Sequence, residues 1–529
     1  MEPAKLHLII ALILTLITAV YAIIVYRRDL MMLQQNSYRN ERYTRWINSS
    51  GETTRPVRII GCIALFLILV YNIPFGITGI ISSLTIIGCM IYLSTRRYKK
   101  PLVMTRRAWR ILLTALALDY LLTAAVWFIT GNPVTMAAMA LLAVVASPFI
   151  ILAANWLLTP VEKSINRKYY NEARDILASM PDLKIIGITG SYGKTSTKHY
   201  LHRILSEQFD TLMTPGSFNT TMGVIRTVRE YLKPYNEVFI VEMGAKQPGD
   251  IKEICDLVHP EIGIVTAVGE QHLESFKSIE NVQLTKFELI DALPANGLAV
   301  LNDDFPYVAN RPVTTVITKR YSVSGDTAYV ASDINYDANG TTFSINGPDD
   351  LELTLHTHLV GECNISNLIG AVIVALHLGV PVQKIQYAVE KIEQVEHRLN
   401  VKRTPGGLTI IDDAFNSNPD GSRMAVDVLA RMKGGKRIII TPGMIELGAK
   451  QYDLNRELGR HIGLNVDIAI IVGEYNRDAL VEGIVETGKL ADDCIYKAAS
   501  FNEAQGILTS IARAGDTVLY ENDLPDTFK

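Results

Sequence analysis

The chain has 529 residues, with 51 Lys and Arg against 54 Asp and Glu and a formal net charge of −3; that balance excludes the basic footprint of a nucleic-acid-binding protein. The length allows about three domains at ~150 residues each, and a mean hydropathy of +0.18 is high for a wholly soluble protein. The five cysteines (Cys62, Cys89, Cys255, Cys363 and Cys494) lack C-x-x-C spacing, which excludes a disulfide framework or zinc ribbon and fits a reducing compartment.

Five apolar stretches come first, at about 6–26, 58–72, 75–95, 109–130 and 133–157. Most approach the roughly 20 residues that cross a bilayer core. The first has no small-residue cleavage site after it and reads as a retained helix rather than a signal peptide. The second is short, and Pro74 and Gly76 in "YNIPFG" predict a turn between it and the third. Asp119, in "LALDYLL", is the one acid within these runs. Such a residue marks a functional site or bonds to Tyr120 or a threonine inside the bundle.

Loop charges orient the block. Arg27, Arg28, Arg39, Arg42, Arg45 and Arg55 lie between the first two stretches, against Asp29, Glu41 and Glu52. Arg96, Arg97, Lys99, Lys100, Arg106 and Arg107 lie between the third and fourth, with no acid. The two remaining turns are uncharged. Basic loops stay in the cytoplasm, so five crossings put the N-terminus outside and everything after Pro160 inside. The expected organisation is a transmembrane helical block at 1–160, an amphipathic linker helix at 161–183 near the membrane surface, and two α/β domains at 184–396 and 397–529.

From Lys184 short apolar strands alternate with helical segments, which predicts a parallel sheet covered by helices. A β-rich interlude around 313–359 precedes a helix at 365–378. A second alternating set starts near Leu408 with "LTIIDDAF", "KRIIITPG" and "DIAIIVG". The expected fold class is therefore α/β, a helical membrane block followed by a phosphate-loop domain and a C-terminal Rossmann-like domain.

The chemistry begins at "GITGSYGKTSTKHYL", residues 187–201. Glycines after a buried strand, followed by Lys-Thr-Ser at a helix start, offer backbone N–H groups and a helix N-terminus to phosphate oxyanions. Gly190, Ser191, Gly193, Lys194, Thr195 and Ser196 form the expected ATP loop, Lys194 reaching the terminal phosphates and Thr195 holding Mg²⁺. The loop is shorter than the full Walker pattern, because Ile188 stands six residues before the lysine. His199 and His202 share a helix face, a pair that reads as surface rather than a metal site.

From this shortened loop onward the chain resembles the Mur ligase family, ATP-dependent ligases that build the peptide of bacterial cell wall. "FNTTMG" (218–223) is similar to the family's substrate-side loop, and "VEMGAKQPGDI" (241–251) to the MurF-type branch, which adds D-alanyl-D-alanine. "GIVTAVGEQHLESF" (263–276), "LTKFELI" (284–290), "GECNISNLIGAVIVA" (361–375), "HRL", "IDDAFNSNPDG" and "TPGMIELG" follow in family order. The similarity covers roughly 165–529.

The resemblance implies residue roles. Glu242 and His272 would join Thr195 as magnesium ligands, although a hard cation prefers oxygen. Lys286 would be carbamylated, its new carboxylate helping to hold a second metal, with Leu284 and Phe287 replacing the small neighbours usual in the family. Asn367 would contact adenine, supported by Asn364; the residues alone read as helix caps. Cys363 stands where histidine is common. Arg398 would meet the phosphates on domain closure. Either Asp412 or Asp413 would touch ribose or Mg²⁺, Asp413 being the expected one, with Asn416, Asn418 and Pro419 shaping the loop beneath. The catalytic set implied is Lys194, Lys286, His272 and Arg398.

The implied reaction is phosphorylation of a substrate carboxylate by ATP, then attack of an amine on the acyl phosphate to form an amide. The expected partners are a muropeptide or other peptide-carboxylate acceptor, an amino acid or dipeptide amine, and membrane lipid. Because membrane helices stand where the MurF type has its UDP-sugar-binding domain, the acceptor carboxylate is expected to be lipid-linked rather than UDP-linked, or to be held by the helices' cytoplasmic loops. Two other readings stay open: a membrane-bound polyglutamate-synthetase-like amide ligase, and a non-catalytic nucleotide-binding module of a cell-wall assembly.

Overall fold

In the first forty residues an apolar run carries straight through its terminal charges as one helix, α1 (Pro3–Gln35). The computed structural model describes residues 3–51, 55–69, 74–96, 98, 100–271, 273–337, 340–414 and 417–523. They form two compact units, one ending at Arg167 and the other running Lys168–Asp523.

The first unit continues with α2 (Asn40–Ser49), α3 (Pro56–Leu69), α4 (Phe75–Thr95), α5 (Arg106–Thr130), α6 (Pro133–Val145) and α7 (Ser147–Ala178), the last passing into the second unit. Local chemistry sets these ends. Thr105 caps α5 through the Ala108 N–H, Gly131 ends it in the left-handed region, and Asn132 caps α6 ahead of Pro133. The helices α4, α5 and α6 pack on α1, and α3 packs on α4 and α6.

Of the five apolar stretches, three form helices long and apolar enough to cross a membrane, namely those in α1, α4 and α5. The second is α3, with 14 described residues, about 21 Å at 1.5 Å per residue against a ~30 Å core. The fifth is not one helix: α6 and α7 meet at a 75° bend. The described helices thus support three crossings, or four if the bent pair counts as one. The linker helix also starts earlier than expected, because Pro160 lies inside α7 rather than at its start. A proline there removes one intrahelical hydrogen bond without ending the helix.

Two polar clusters sit inside this unit. Arg58 Nη2 donates to both carboxylate oxygens of Asp29 (2.9 and 2.8 Å), and its Nη1 donates to Ser147 Oγ at 2.7 Å and to the Val144 and Val145 carbonyls at 3.1 Å. Asp119 is buried beside Tyr26 of α1 and Thr123 of its own helix, while Tyr120 faces outward.

The second unit holds two sheets. In the first, β1 (Lys184–Thr189) is central, reached in the order β2 (Thr211–Met213), β3 (Val238–Glu242), β1, β4 (Ile262–Val265), β5 (Leu298–Asn302), β6 (Ile317–Ser322), β7 (Tyr329–Asp337), β8 (Gly340–Gly347), β9 (Leu351–Thr357). Pairing is parallel through β7 and antiparallel beyond. Covering it are α8 (Lys194–Leu205), α9 (Thr221–Glu230), α10 (Asp250–Val258), α11 (Leu273–Phe276), α12 (Ile279–Asp291), α13 (Pro306–Ala309), α14 (Glu362–His377) and α15 (Val382–Glu390). The strands β1, β3 and β4 are buried along nearly their whole length, as unbroken Ile/Val runs require when helices lie on both faces.

The second sheet runs β10 (Asn400–Arg403), β11 (Thr409–Asp413), β15 (Thr517–Glu521), β12 (Arg437–Thr441), β13 (Ile468–Val472), β14 (Ile495–Ala498), all parallel except β10. Its helices are α16 (Pro419–Ala430), α17 (Gln451–Asn465), α18 (Arg477–Glu486) and α19 (Phe501–Ile511).

Candidate functional site

The chain leaves β1 for α8 and β2 on one side and later returns through β4 on the other, so a crevice opens at the carboxyl ends of β3, β1 and β4. Ligands bind at such a switch point in open α/β sheets. Register places the groups: Ile188 pairs with Glu242 and Thr189 with Val265. The phosphate loop therefore starts between the Glu242 carboxylate and Thr266.

The loop is braced from below. The Ser191 N–H donates to the Ala267 carbonyl (2.8 Å), Ser191 Oγ donates to the Gly269 carbonyl (3.0 Å), and Thr266 Oγ1 donates to the Tyr192 carbonyl (2.5 Å). Asn302 Nδ2 holds the Thr266 carbonyl at 2.8 Å. Two glycines make the loop possible. A Cβ on Gly190 would lie 2.1 Å from Thr266 Oγ1, and one on Gly193, at φ +81°, would lie 2.5 Å from Asn367 Oδ1. Gly190→Ala is therefore expected to weaken ATP binding about tenfold or more, from ~1–3 kcal/mol of local strain, in a nucleotide titration of the folded variant.

The Lys194 ammonium is turned back on its own loop, donating to the Gly190 carbonyl at 2.6 Å and the Ser191 carbonyl at 3.3 Å. Burial brings its pKa down to about 8, with Glu242 opposing and Arg398 adding to the fall. Thr195 and Ser196 open α8. Thr197 Oγ1 donates to Asn367 Oδ1 (3.1 Å), and Tyr200 Oη donates to Asn364 Oδ1 (2.7 Å). The two asparagines do not cap α14, whose N-cap is Gly361; they tie α14 to the phosphate-loop helix instead. Burial pushes the Cys363 thiol up to about 12.

Glu242 is buried. Its Oε1 accepts from Asn219 Nδ2 at 3.0 Å, and its Oε2 lies 3.1 Å from Lys198 Nζ, an ion pair outside hydrogen-bond geometry. Burial raises its pKa, but Lys198, Lys194 and Asn219 more than offset this and bring it below the usual glutamate value. Lys198 is fully buried and also donates to the Gly216 carbonyl at 2.7 Å. Sequence reasoning missed it: a lysine on the helix after a phosphate loop gives no sign that it points inward.

Lys286 is buried on α12, and its pKa falls well below the lysine value through burial first and then the nearby charge of Lys194. Phe287 beside it is buried, whereas Leu284 is exposed. Arg398 is lowered by burial and attracted by Asp413 and Glu242. Asp413, at the end of β11, is pushed up to about 7 by burial, with Arg398 and the Leu399 N–H opposing and Glu521 and Asp412 adding. Asp412 instead accepts from His397 Nδ1 at 2.9 Å. Lys194, Glu242, Lys286, Arg398 and Asp413 thus form one electrostatic neighbourhood spanning both sheets. His272 and Asn416 lie outside the described residues; Asn418 caps α16 through the Gly421 N–H, with Pro419 at its first turn.

Contacts close the second domain over the first. Tyr192 Oη, from within the phosphate loop, donates to Asp420 Oδ2 of α16 at 2.8 Å, and its ring meets Phe305 edge-on at 5.0 Å. Arg431 pairs with Glu362 at 3.1 Å, and Lys450 pairs with Glu270.

The two histidines of α8 are half-buried rather than surface groups. His202 Nε2 contacts the Thr211 carbonyl at 3.2 Å. His199 is held down to about 4 by burial and then by Lys198 and His202. Its folded pKa lies below the ordinary 6.5, so the unfolded chain takes up a proton first as pH falls. Stability present above pH 6.5 is expected to be lost between there and about 4, and His199→Asn to flatten that slope in pH-dependent denaturation.

No cluster of three or more His, Cys, Asp or Glu suited to a metal occurs among the described residues. The site nonetheless fits a phosphate-bound cation. Glu242 Oε2 is a buried oxygen without a hydrogen bond, and the glycines leave space that a Cβ would fill.

Comparison with known proteins agrees with this geometry. Residues 188–375 match the Mur ligase middle domain and 397–520 the Mur ligase, glutamate ligase domain. The UDP-N-acetylmuramoyl-tripeptide–D-alanyl-D-alanine ligase of Mycobacterium tuberculosis (strain H37Rv) is 32% identical over 374 residues, covering 64% of this chain and 70% of that protein. The Bacillus subtilis (strain 168) protein of the same name is 27% identical over 344 residues, covering 64% and 72%. The structure of MurF from Thermotoga maritima in complex with ADP superposes with a TM-score of 0.59 at 25% identity, covering 68% of this chain and 80% of that one. With its two-domain fold and phosphate-loop cleft, the chain belongs to the Mur ligase family and is an ATP-dependent acid–amino acid ligase of the MurF-like kind.

Proposed function

We propose that this chain is a membrane-attached ligase that activates the carboxylate of a muropeptide as an acyl phosphate and joins it to an amino acid or D,D-dipeptide amine. The observation that carries the reading is the single neighbourhood of Lys194, Glu242, Lys286, Arg398 and Asp413 where the two sheets' carboxyl ends meet. The related MurF ligases are named for UDP-N-acetylmuramoyl-tripeptide and D-alanyl-D-alanine, which favours that substrate class here.

ATP supplies the phosphoryl group, and Mg²⁺ neutralises charge on its oxygens. Lys194 exchanges its two loop carbonyls for phosphate oxygens, a move its fold-back geometry leaves short. Thr195 and Glu242 are the oxygen ligands offered to Mg²⁺, with His272 the family's third. Arg398 brings a second cation from the C-terminal domain, and Asn367 lies against Gly193 on the nucleotide side. Such fixed charges stabilise a transition state because they need no rearrangement when the phosphoryl group moves. Carbamylation of Lys286 requires the neutral amine, which burial and the Lys194 charge favour; the resulting carbamate would turn that repulsion into attraction.

The helical block supports a cytoplasmic-membrane location. Basic loops on both sides of the α3–α4 pair favour the same, cytoplasmic face, so these two helices either both cross or neither does. With α1, α5 and a return through α6 counted beside that pair, the total is odd, which places the N-terminus outside and the ligase domains in the cytoplasm. A lipid-linked acceptor suits a ligase held at that surface. The test is phosphate release by full-length protein in vesicles, with UDP-linked and lipid-linked muropeptides and a panel of amines. Release that needs both acceptor and amine supports the ligase reading, and release indifferent to both contradicts it. Efficient turnover of a UDP-linked acceptor without lipid removes the lipid-linked one.

A further inference from the structure

The bend between α6 and α7 makes the first half of α7 an odd helix. Its outward face is apolar: Phe149, Trp156, Leu157 and Val161 are 59%, 68%, 48% and 45% exposed. With exposed Ala153 and Pro160 between them, the three- and four-residue spacing makes a continuous stripe. Its inward face packs Ile151 and Ala154 against the block and carries buried polar groups among them. Asn155 Nδ2 donates to Asn40 Oδ1 (2.7 Å) and to the Tyr38 carbonyl (3.0 Å). Glu162 Oε1 accepts from Arg110 Nε at 2.7 Å, and Arg107 lies 3.9 Å from Glu162 Oε2. A helix facing water on its outer side shows the opposite arrangement.

The charges around it fix a level in the block. At the bend, Arg58 joins Asp29 near the end of α1 to Ser147 and the last carbonyls of α6. Further along, Glu162 meets the first turns of α5 at Arg107 and Arg110. The polar partners of residues 147–162 therefore belong to the ends of α1 and α5 that carry the basic loops. Those ends define the boundary between headgroups and acyl chains, where Trp and Arg concentrate. Trp109, one turn into α5, is half-exposed at the same level.

We propose that residues 147–162 lie along the cytoplasmic headgroup–acyl boundary, their stripe of Phe149, Trp156, Leu157 and Val161 set into the lipid, and that α6 by itself carries the chain back to that boundary. This rests on the membrane reading above and specifies it: the fifth apolar stretch is a short inward limb followed by an in-plane helix. The occupant of the stripe is lipid acyl chain near the headgroups, because charges flank the stripe and an apolar stripe of this width gains most there. Lys163 and Arg167, which follow directly, would meet anionic headgroups.

Bromine-quenched tryptophan fluorescence tests the depth. Full-length protein and its Trp156→Phe variant are reconstituted in phosphatidylcholine–phosphatidylglycerol vesicles brominated either near the headgroup or near the chain end. The difference between the two proteins is the Trp156 signal, and one substitution at an exposed ring leaves the fold in place. The expected result is quenching about twofold stronger by the shallow bromine, as for a face set ~5–10 Å into the boundary. Stronger quenching by the deep bromine means a crossing, and absence of quenching means water or protein; either overturns the proposal. The same comparison with Trp127→Phe, in α5, keeps the two claims apart, because loss of all quenching at Trp127 would instead remove the membrane reading itself.

Discussion

Lys194→Met is expected to fold and to lose about 10²–10³-fold in kcat for amide formation, the usual cost of deleting one charged donor from a phosphoryl-transfer site. Lys194 is half-buried, and its two hydrogen bonds go only to its own loop. Methionine keeps the stem and removes the charge. The loss should lie in kcat more than in ATP affinity, because the Gly190 and Gly193 backbone and the start of α8 still grip the phosphates. Steady-state kinetics at saturating ATP, with a denaturation curve beside it, checks this. A variant that folds and keeps wild-type kcat contradicts the assignment of Lys194.

Lys198→Met should be the more damaging change to the fold. Lys198 and Glu242 are 0% and 2% exposed, and removing one member of a buried ion pair leaves the other charge uncompensated, at about 3–5 kcal/mol. The lost bond to the Gly216 carbonyl also frees the loop ahead of Asn219, a further ligand-holding contact to Glu242. Denaturant unfolding measures the stability term. The Lys198→Met, Glu242→Gln double variant should recover much of that stability, since the stranded charge is gone, yet remain inactive. Recovery of activity in the double variant would show that Glu242 has no part in the reaction.

Much of the second unit was legible from one stretch of sequence. A buried strand, a glycine loop and Lys-Thr-Ser announce a phosphate site by local chemistry, and the following strands placed Glu242 and Asp413 at carboxyl ends because alternation fixes parallel topology. What escaped is long-range. Tyr192 and Asp420 are far apart in the chain, and nothing in "GSYGKT" says that the tyrosine reaches into the second domain. Lys198 escaped because helix periodicity does not tell which face is buried when the core face also carries charge. In the membrane block, Asp29 reads as a loop charge that sets orientation, and Arg58 as the first residue of the second apolar stretch. They are instead partners inside the block, since α1 runs on to Gln35 and α3 begins at Pro56. The fifth stretch read as a single span because hydropathy is blind to the bend at Ala146.

Carboxylate activation is the step on which the ligase reaction depends, and the fate of the acceptor's oxygen tests it most directly. Full-length protein in vesicles is given ATP, a D,D-dipeptide and a muropeptide whose terminal carboxylate carries heavy oxygen. Attack of that carboxylate on the phosphoryl group, followed by amine displacement, transfers one labelled oxygen to each phosphate released. Mass spectrometry should find singly labelled phosphate in step with amide product. Unlabelled phosphate, accumulating while the acceptor keeps all its label, contradicts the account.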